Sequence, residues 1–218
     1  MAGNFQDDTR EAEMITLFGL RKDDTEGRSG IDAFLDIDGR SLPFELKTTS
    51  KGSVTTVRDF GPDHVAKWQD KHWLIGFYIG EERYYKYGSP QFMSTWINEK
   101  ADYIAPDRQM SELAAEKLEL VDMFSVIGQK EVYTYEDAKK LHKNQYNRAQ
   151  YDDLKDVKGG YSPGRMLQIF KARLTYITQR GSTLNNPHIP LSYFVPLVKI
   201  EENFQEKLRE LVRAELNS

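Results

Sequence analysis

Asp32, Glu45 and Lys47 have the types and the spacing of a hydrolytic centre. They lie in the stretch GIDAFLDIDGRSLPFELK, which reads as two β-prone runs, Ile31 to Ile37 and Leu42 to Lys47, separated by Asp38-Gly39-Arg40-Ser41. Asp-Gly is a strong hairpin signal, so the runs should pair antiparallel. Strand alternation then places Glu45 and Lys47 on one face and turns Leu46 to the other. A twisted hairpin brings the Asp32 carboxylate close to Glu45. Two carboxylates at that distance repel unless a cation joins them, and a shared divalent ion is the economical explanation. Such an ion would polarise a phosphate and acidify a bound water. Lys47, two residues beyond Glu45, would orient that water or stabilise a pentavalent phosphate, the parts that metal-assisted phosphodiester hydrolysis requires.

The composition narrows the ion. The chain has no cysteine and four scattered histidines, which removes thiolate sites, thiol nucleophiles and disulfides and leaves little room for zinc. Oxygen ligands suit Mg²⁺, with Mn²⁺ expected to substitute. No apolar run approaches the length needed to cross a bilayer, and the polar, acidic opening MAGNFQDDTR fits neither a secretory signal nor a transit peptide. The expectation is a cytoplasmic protein without a membrane partner.

Several elements must position these residues. Residues 9 to 20, TREAEMITLFGL, place Met14, Ile15, Leu17 and Phe18 at helical spacing behind a capping threonine, Thr9. After the hairpin, a loop from Thr48 to Phe60 rich in Ser, Thr and Gly leads to Gly61-Pro62-Asp63, which opens a helix to about Lys71. Strands follow at Trp73 to Ile79 and Tyr84 to Tyr87, and then a helix near Met93 to Lys100. The second half reads as helices at about Ser111 to Leu120, Tyr135 to His142 behind Thr134, Pro163 to Thr178 behind Ser162, and Ile200 to Leu216. The last has an apolar stripe suited to packing on the body. The fold class is therefore α/β (α+β), a mixed β-sheet core flanked by helices with a mostly helical C-terminal half. At 218 residues without repeats or low-complexity linkers, one domain over 1–218 is the simplest division, with a catalytic core over about 9–105 and a region rich in candidate DNA-recognition residues over about 130–200.

The net charge of −4 is unevenly spread: from Val157 to Ile200, 44 residues contain no Asp or Glu and hold six Lys and Arg, which leaves −10 for the rest. An acid-free basic segment suits a polyanion. Arg165 and Arg173 flank the helix behind Ser162, and Gln179, Arg180, Ser182, Thr183, Asn185, Asn186 and His188 follow in an expected loop. Arg matches guanine, and Asn or Gln matches adenine, in the major groove of double-stranded DNA, so this is the expected recognition loop. Thr55, Thr56 and Arg58, directly after the catalytic strand, are expected near DNA or a partner subunit. Trp68, Trp73, Trp96 and the tyrosines at 84, 85 and 87 read as core and sheet packing.

With these residues in view, the sequence resembles the PD-(D/E)xK nuclease superfamily, which includes type II restriction enzymes and Holliday-junction resolvases. Gly30-Ile31-Asp32 fits its small-hydrophobic-Asp element, Glu45-Leu46-Lys47 its ExK element, and Ala12-Glu13 its acidic position on the first helix; coverage runs from about residue 9 to 87. Ile31 stands where the eponymous proline would be. The resemblance implies a restriction-endonuclease-like fold. It also implies that Asp32 and Glu45 bind Mg²⁺ with the carbonyl of Leu46, that Lys47 assists the attacking water, and that Glu13, with Glu11 an alternative on the same helix, supports the metal site. The expected activity is that of a type II site-specific endonuclease leaving 5′-phosphate and 3′-hydroxyl ends, acting as a homodimer on palindromic DNA. A junction resolvase or repair nuclease, and a non-catalytic DNA-binding protein on a nuclease-like fold, are the alternatives.

Overall fold

The computed structural model describes residues 3–22 and 30–218, with side chains from Thr9 onward; the first eight side chains of the polar opening stretch lie outside the described residues. In chain order the elements are α1 (Gly3–Phe18), β1 (Ala33–Ile37), β2 (Arg40–Thr49), β3 (Ser53–Thr55), α2 (Pro62–Trp68), β4 (His72–Ile79), β5 (Glu82–Gly88), α3 (Pro90–Lys117), α4 (Leu120–Ile127), α5 (Tyr135–His142), α6 (Arg148–Asp153), α7 (Pro163–Gly181), β6 (His188–Pro190), β7 (Lys199–Ile200) and α8 (Phe204–Leu216), with a 3-10 turn at Leu191–Phe194. The class is mixed α and β. Where the sequence suggested one domain with a core over about 9–105, the chain forms two compact units, residues 1–102 with 184–218, and residues 103–183. The return of 184–218 to the first unit carries the last helix onto its core, as the apolar stripe suggested.

The first unit is built on a five-stranded mixed sheet in the order β1-β2-β4-β5-β7. The expected hairpin forms: β1 and β2 pair antiparallel from Ile37 with Arg40 to Ala33 with Phe44. Asp38 and Gly39 carry φ of 49° and 75° at its turn. Positive φ at both central residues is what a tight hairpin turn needs, and it is why Asp-Gly marks one in sequence. β4 then lies parallel to β2, with Glu45 opposite Trp73 and Lys47 opposite Ile75. A parallel neighbour requires a crossover, which α2 supplies with Pro62 in its first turn.

One face of the sheet carries Ala33, Leu35, Phe44, Leu46, Leu74, Tyr85 and Ile200 against Met14 and Phe18 of α1 and Leu208 and Val212 of α8. Gly76 in β4 lets this layer close: a Cβ there would sit 3.0 Å from the Tyr78 ring and 3.3 Å from the Met14 sulfur. The opposite face carries Trp73, Ile75 and Phe77 under Trp68, Met93, Trp96 and Ile97, with Val54, Ile189 and Phe194 closing the side. All three tryptophans are thus core residues of the first unit, as their setting in the sequence suggested. The second unit has its own core of Met123, Tyr133, Ala138, Tyr151, Tyr161, Met166 and Ile169.

Several boundaries moved, each for a local reason. The helices expected near 93–100 and 111–120 are one helix, α3, with Pro106 inside it. Proline removes a single hydrogen bond, to the carbonyl of Asp102, and the helix continues past it. The last helix starts at Phe204 rather than Ile200, because Ile200 and Lys199 pair with Tyr85 and Lys86 as a sheet strand. α1 begins before Thr9, which is therefore not its cap. The short elements β3, β6, α4 and α6 were not read from the sequence, whereas α5 forms behind its Thr134 cap as expected.

Candidate active site

β1 begins at Ala33, so beyond Phe44 no strand among the described residues lies on that edge of β2. Asp32 fills that gap: the amide of Leu46 donates to Asp32 Oδ2 at 2.9 Å. An extended residue sends its N–H and C=O to the same edge, so the Leu46 carbonyl leaves β2 on the side where Asp32 stands. Leu46 itself is fully buried on the α1 face, while Glu45 and Lys47 lie on the other. The ammonium of Lys47 sits between the two carboxylates, 2.7 Å from Glu45 Oε1 and 3.9 Å from Asp32 Oδ2. The structure thus brings Asp32, Glu45 and Lys47 together.

A fourth residue joins them that the sequence reading missed. Lys71, in the turn between α2 and β4, is 3% exposed and donates to the other Glu45 oxygen at 2.9 Å. Only its place just before a strand parallel to β2 could have signalled this, and that pairing is not legible in the residues alone. Burial by itself would favour a neutral Glu45, but Lys47 and Lys71 outweigh it and hold the carboxyl below its ordinary range. For Asp32, burial dominates over Lys47, and with the nearby Glu45 charge it pushes the carboxyl up. For Lys47 burial opposes the charge, yet Glu45 and Asp32 prevail and raise its pKa.

The first helix contributes differently from expectation. Glu13 is ion-paired with Arg83 at the start of β5. Glu11, one helical turn before Met14 and Ile15, is the α1 carboxylate that helps to hold the charge on Lys47. Asp36 and Asp38 are exposed and bound to Arg21 and Arg213.

The donor set fits a hard divalent cation in its chemistry: two carboxylates, a backbone carbonyl on the same edge, and a tethered ammonium standing between the carboxylates as a cation would. Among the described residues no group of three or more His, Cys, Asp or Glu side chains converges on one point, so the carbonyl and water would have to complete the set.

Two of the sequence segments expected near DNA meet in the first unit. β3 pairs antiparallel with β6, setting Thr55 opposite His188, with Thr55 Oγ1 3.3 Å from His188 Nδ1. The pairing extends through the Asn186 amide to the Arg58 carbonyl at 3.1 Å and through both bonds between Phe60 and Leu184. Val54 and Ile189 face inward, so Thr55, Arg58, Asn185 and His188 form an exposed rim. Thr49 Oγ1 ties this ribbon to the end of β2 by donating to the Ser53 carbonyl at 2.7 Å. Thr56 is committed inward, its hydroxyl donating to the Pro187 carbonyl at 2.6 Å. Asn186 holds the left-handed backbone of the turn, with φ of 49°.

The other candidates lie in the second unit. Gln179 and Arg180 are in the last turn of α7 rather than in a loop, and Arg180 bonds to the Tyr176 hydroxyl. Ser182 corrects the expectation outright: it is 2% exposed and gives its hydroxyl to the Thr178 carbonyl, so it offers nothing to a duplex. Thr183 is half-buried beside it. Arg165 is engaged with Gln168, and Arg173 stacks over Tyr176.

No family model matches this sequence, and no curated protein is similar to it. No helix among the described residues is long and apolar enough to cross a membrane.

Proposed function

We propose that the protein is a magnesium-dependent, sequence-specific double-stranded DNA endonuclease of the type II restriction class, on a restriction-endonuclease-like fold. The observation that carries the reading is the grouping of Asp32, Glu45 and Lys47 at the edge of β2 where β1 has run out. The hairpin, crossover helix and parallel strand around that edge support the reading.

Asp32, Glu45 and the Leu46 carbonyl would hold Mg²⁺, with Mn²⁺ as a substitute. The ion supplies Lewis acidity toward a phosphate oxygen and makes a neighbouring water easier to deprotonate. The chain's own groups do the rest. Glu45, kept ionised by two ammoniums, offers a charged carboxylate to a cation rather than a base for the water proton. Lys47, free to turn from Glu45, orients the attacking water and stabilises the extra negative charge as phosphorus takes its fifth oxygen. The attacking water passes a proton to bulk water, the bond from phosphorus to the 3′ oxygen breaks, and that oxygen takes a proton from bulk water, leaving 3′-hydroxyl and 5′-phosphate ends. The rim of Thr55, Arg58, Asn185 and His188 presents groups able to bond base edges from a ribbon tied to the catalytic strand. Two-fold pairing of chains on a palindromic site in the cytoplasm completes the reading.

The test is incubation of the purified protein with plasmid and phage DNA, with and without Mg²⁺, beside Lys47→Ala. Discrete fragments that require both Mg²⁺ and Lys47 are expected. Cleavage of branched junctions alone would select a resolvase, and no cleavage of any substrate would overturn the nuclease reading in favour of a DNA-binding protein.

A further inference from the structure

Beyond helping to keep Glu45 ionised, the buried lysine at position 71 takes no part in the hydrolysis that Glu45 and Lys47 serve. Lys47 is partly open to solvent and spans two carboxylates, so it has somewhere to turn. Lys71 does not: both its side chain and that of Glu45 are 4% exposed, and its ammonium is bound to Glu45 Oε2. A buried ammonium is costly and is retained only where it is paired. The carboxylates of Asp32 and Glu45 are matched at contact distance by the ammoniums of Lys47 and Lys71, and this group is close to neutral before any ion arrives.

We propose that Lys71 is a counter-charge that keeps the site's affinity for a divalent cation low in the free protein, so that cation and DNA phosphate are taken up together. This rests on the nuclease reading of the site. A divalent cation at Glu45 meets a fixed ammonium on the far oxygen of the same carboxylate, in surroundings that salt screens poorly. A phosphate brings the missing negative charge, and reciprocity requires that whatever DNA does for the cation the cation does for DNA.

The experiment measures Mn²⁺ binding to the full chain by the electron paramagnetic resonance of free Mn²⁺, for wild type, Lys71→Met, Lys71→Arg and the Glu45→Gln/Lys71→Met double variant. Lys71→Met is expected to bind Mn²⁺ about tenfold or more tightly than wild type. The gain should vanish in the double variant, and Lys71→Arg should stay at the wild-type value. For wild type, the Mn²⁺ that half-saturates cleavage of phage DNA should lie about tenfold or more below the free-protein Kd, with the two values converging in Lys71→Met. Should Lys71→Met not fold, Lys71→Gln carries the same test. Equal Mn²⁺ affinities in wild type and the charge-removing variant overturn the proposal whether or not the protein cuts. Failure of the wild type to cut DNA at any Mn²⁺ concentration overturns the nuclease reading instead, and with it the coupling to DNA.

Discussion

Removing either member of the buried Glu45–Lys71 pair should cost far more stability than removing both. Both side chains are 4% exposed and joined at 2.9 Å, so each single variant strands a charge away from water. Breaking such a pair from one side costs about 3–5 kcal/mol, whereas replacing both partners is close to neutral. Lys71→Met belongs at the low end, about 3 kcal/mol, because Glu45 keeps Lys47 on its other oxygen. Glu45→Gln belongs higher, about 4 kcal/mol, because Lys71 is left facing a neutral amide. The singles sum to about 7 kcal/mol, whereas the double variant should cost about 1 kcal/mol or less. Urea unfolding followed by tryptophan fluorescence is the suitable assay, since Trp68, Trp73 and Trp96 all belong to the first unit and report on it alone. At about 2–4 °C per kcal/mol, each single variant should also lower Tm by roughly 6–16 °C. Single losses below about 1 kcal/mol, the range of exposed ion pairs, would refute the argument, as would a double variant equal to the sum of the singles.

The two glutamates of α1 should separate in a cleavage assay: Glu11→Gln is expected to slow cutting about tenfold or more, whereas Glu13→Gln, which breaks only a half-exposed pair with Arg83, should leave the rate within about twofold and cost up to about 1 kcal/mol of stability. Asp32→Asn should abolish cutting while raising Tm at neutral pH. Burial raises the Asp32 pKa, so the fold binds its proton more tightly than the unfolded chain does; the penalty for ionisation appears as pH rises through that raised value and closes as pH falls toward 3.8, and a Tm of the variant at or below wild type at pH 7 would contradict this. In magnesium-free buffer, Arg58→Ala and Asn185→Ala should each weaken binding to the cleaved sequence by about 1–3 kcal/mol in fluorescence anisotropy, while Ser182→Ala, whose hydroxyl is bound inside its own helix end, should not.

The elements that local chemistry controls were legible. Asp38-Gly39 announced the hairpin because few other pairs tolerate positive φ twice in succession, Thr134 and Ser162 announced α5 and α7 by capping, and Pro62 opened α2. What was not legible depends on partners distant in sequence. β3 and β6 are three residues each and acquire strand geometry only from each other across more than a hundred residues. Ile200 has the spacing to begin α8, yet the open edge of β5 offers its backbone hydrogen bonds that a helical turn could not better, so the helix starts later. Pro106 lies inside α3 without ending it, because a single missing hydrogen bond is small beside a continuous helix of 28 residues.

The same division runs through the site. Alternation placed Glu45 and Lys47 on one face and turned Leu46 away, and the hairpin register put Asp32 beside them, since the reach of these residues is set within a single hairpin. The choice between Glu11 and Glu13 lay beyond the hairpin. Both sit on one helix, and only the packing of Met14 and Phe18 against the sheet decides which carboxylate helps hold Lys47 and which is taken by Arg83. Lys71 lay further out still, because its contact with Glu45 exists only once β4 has paired parallel to β2 and brought the end of α2 over the hairpin. A residue that tunes a site from a neighbouring strand leaves no spacing to read, although the chemistry it alters, the charge on Glu45, belongs to the part of the site that was read first.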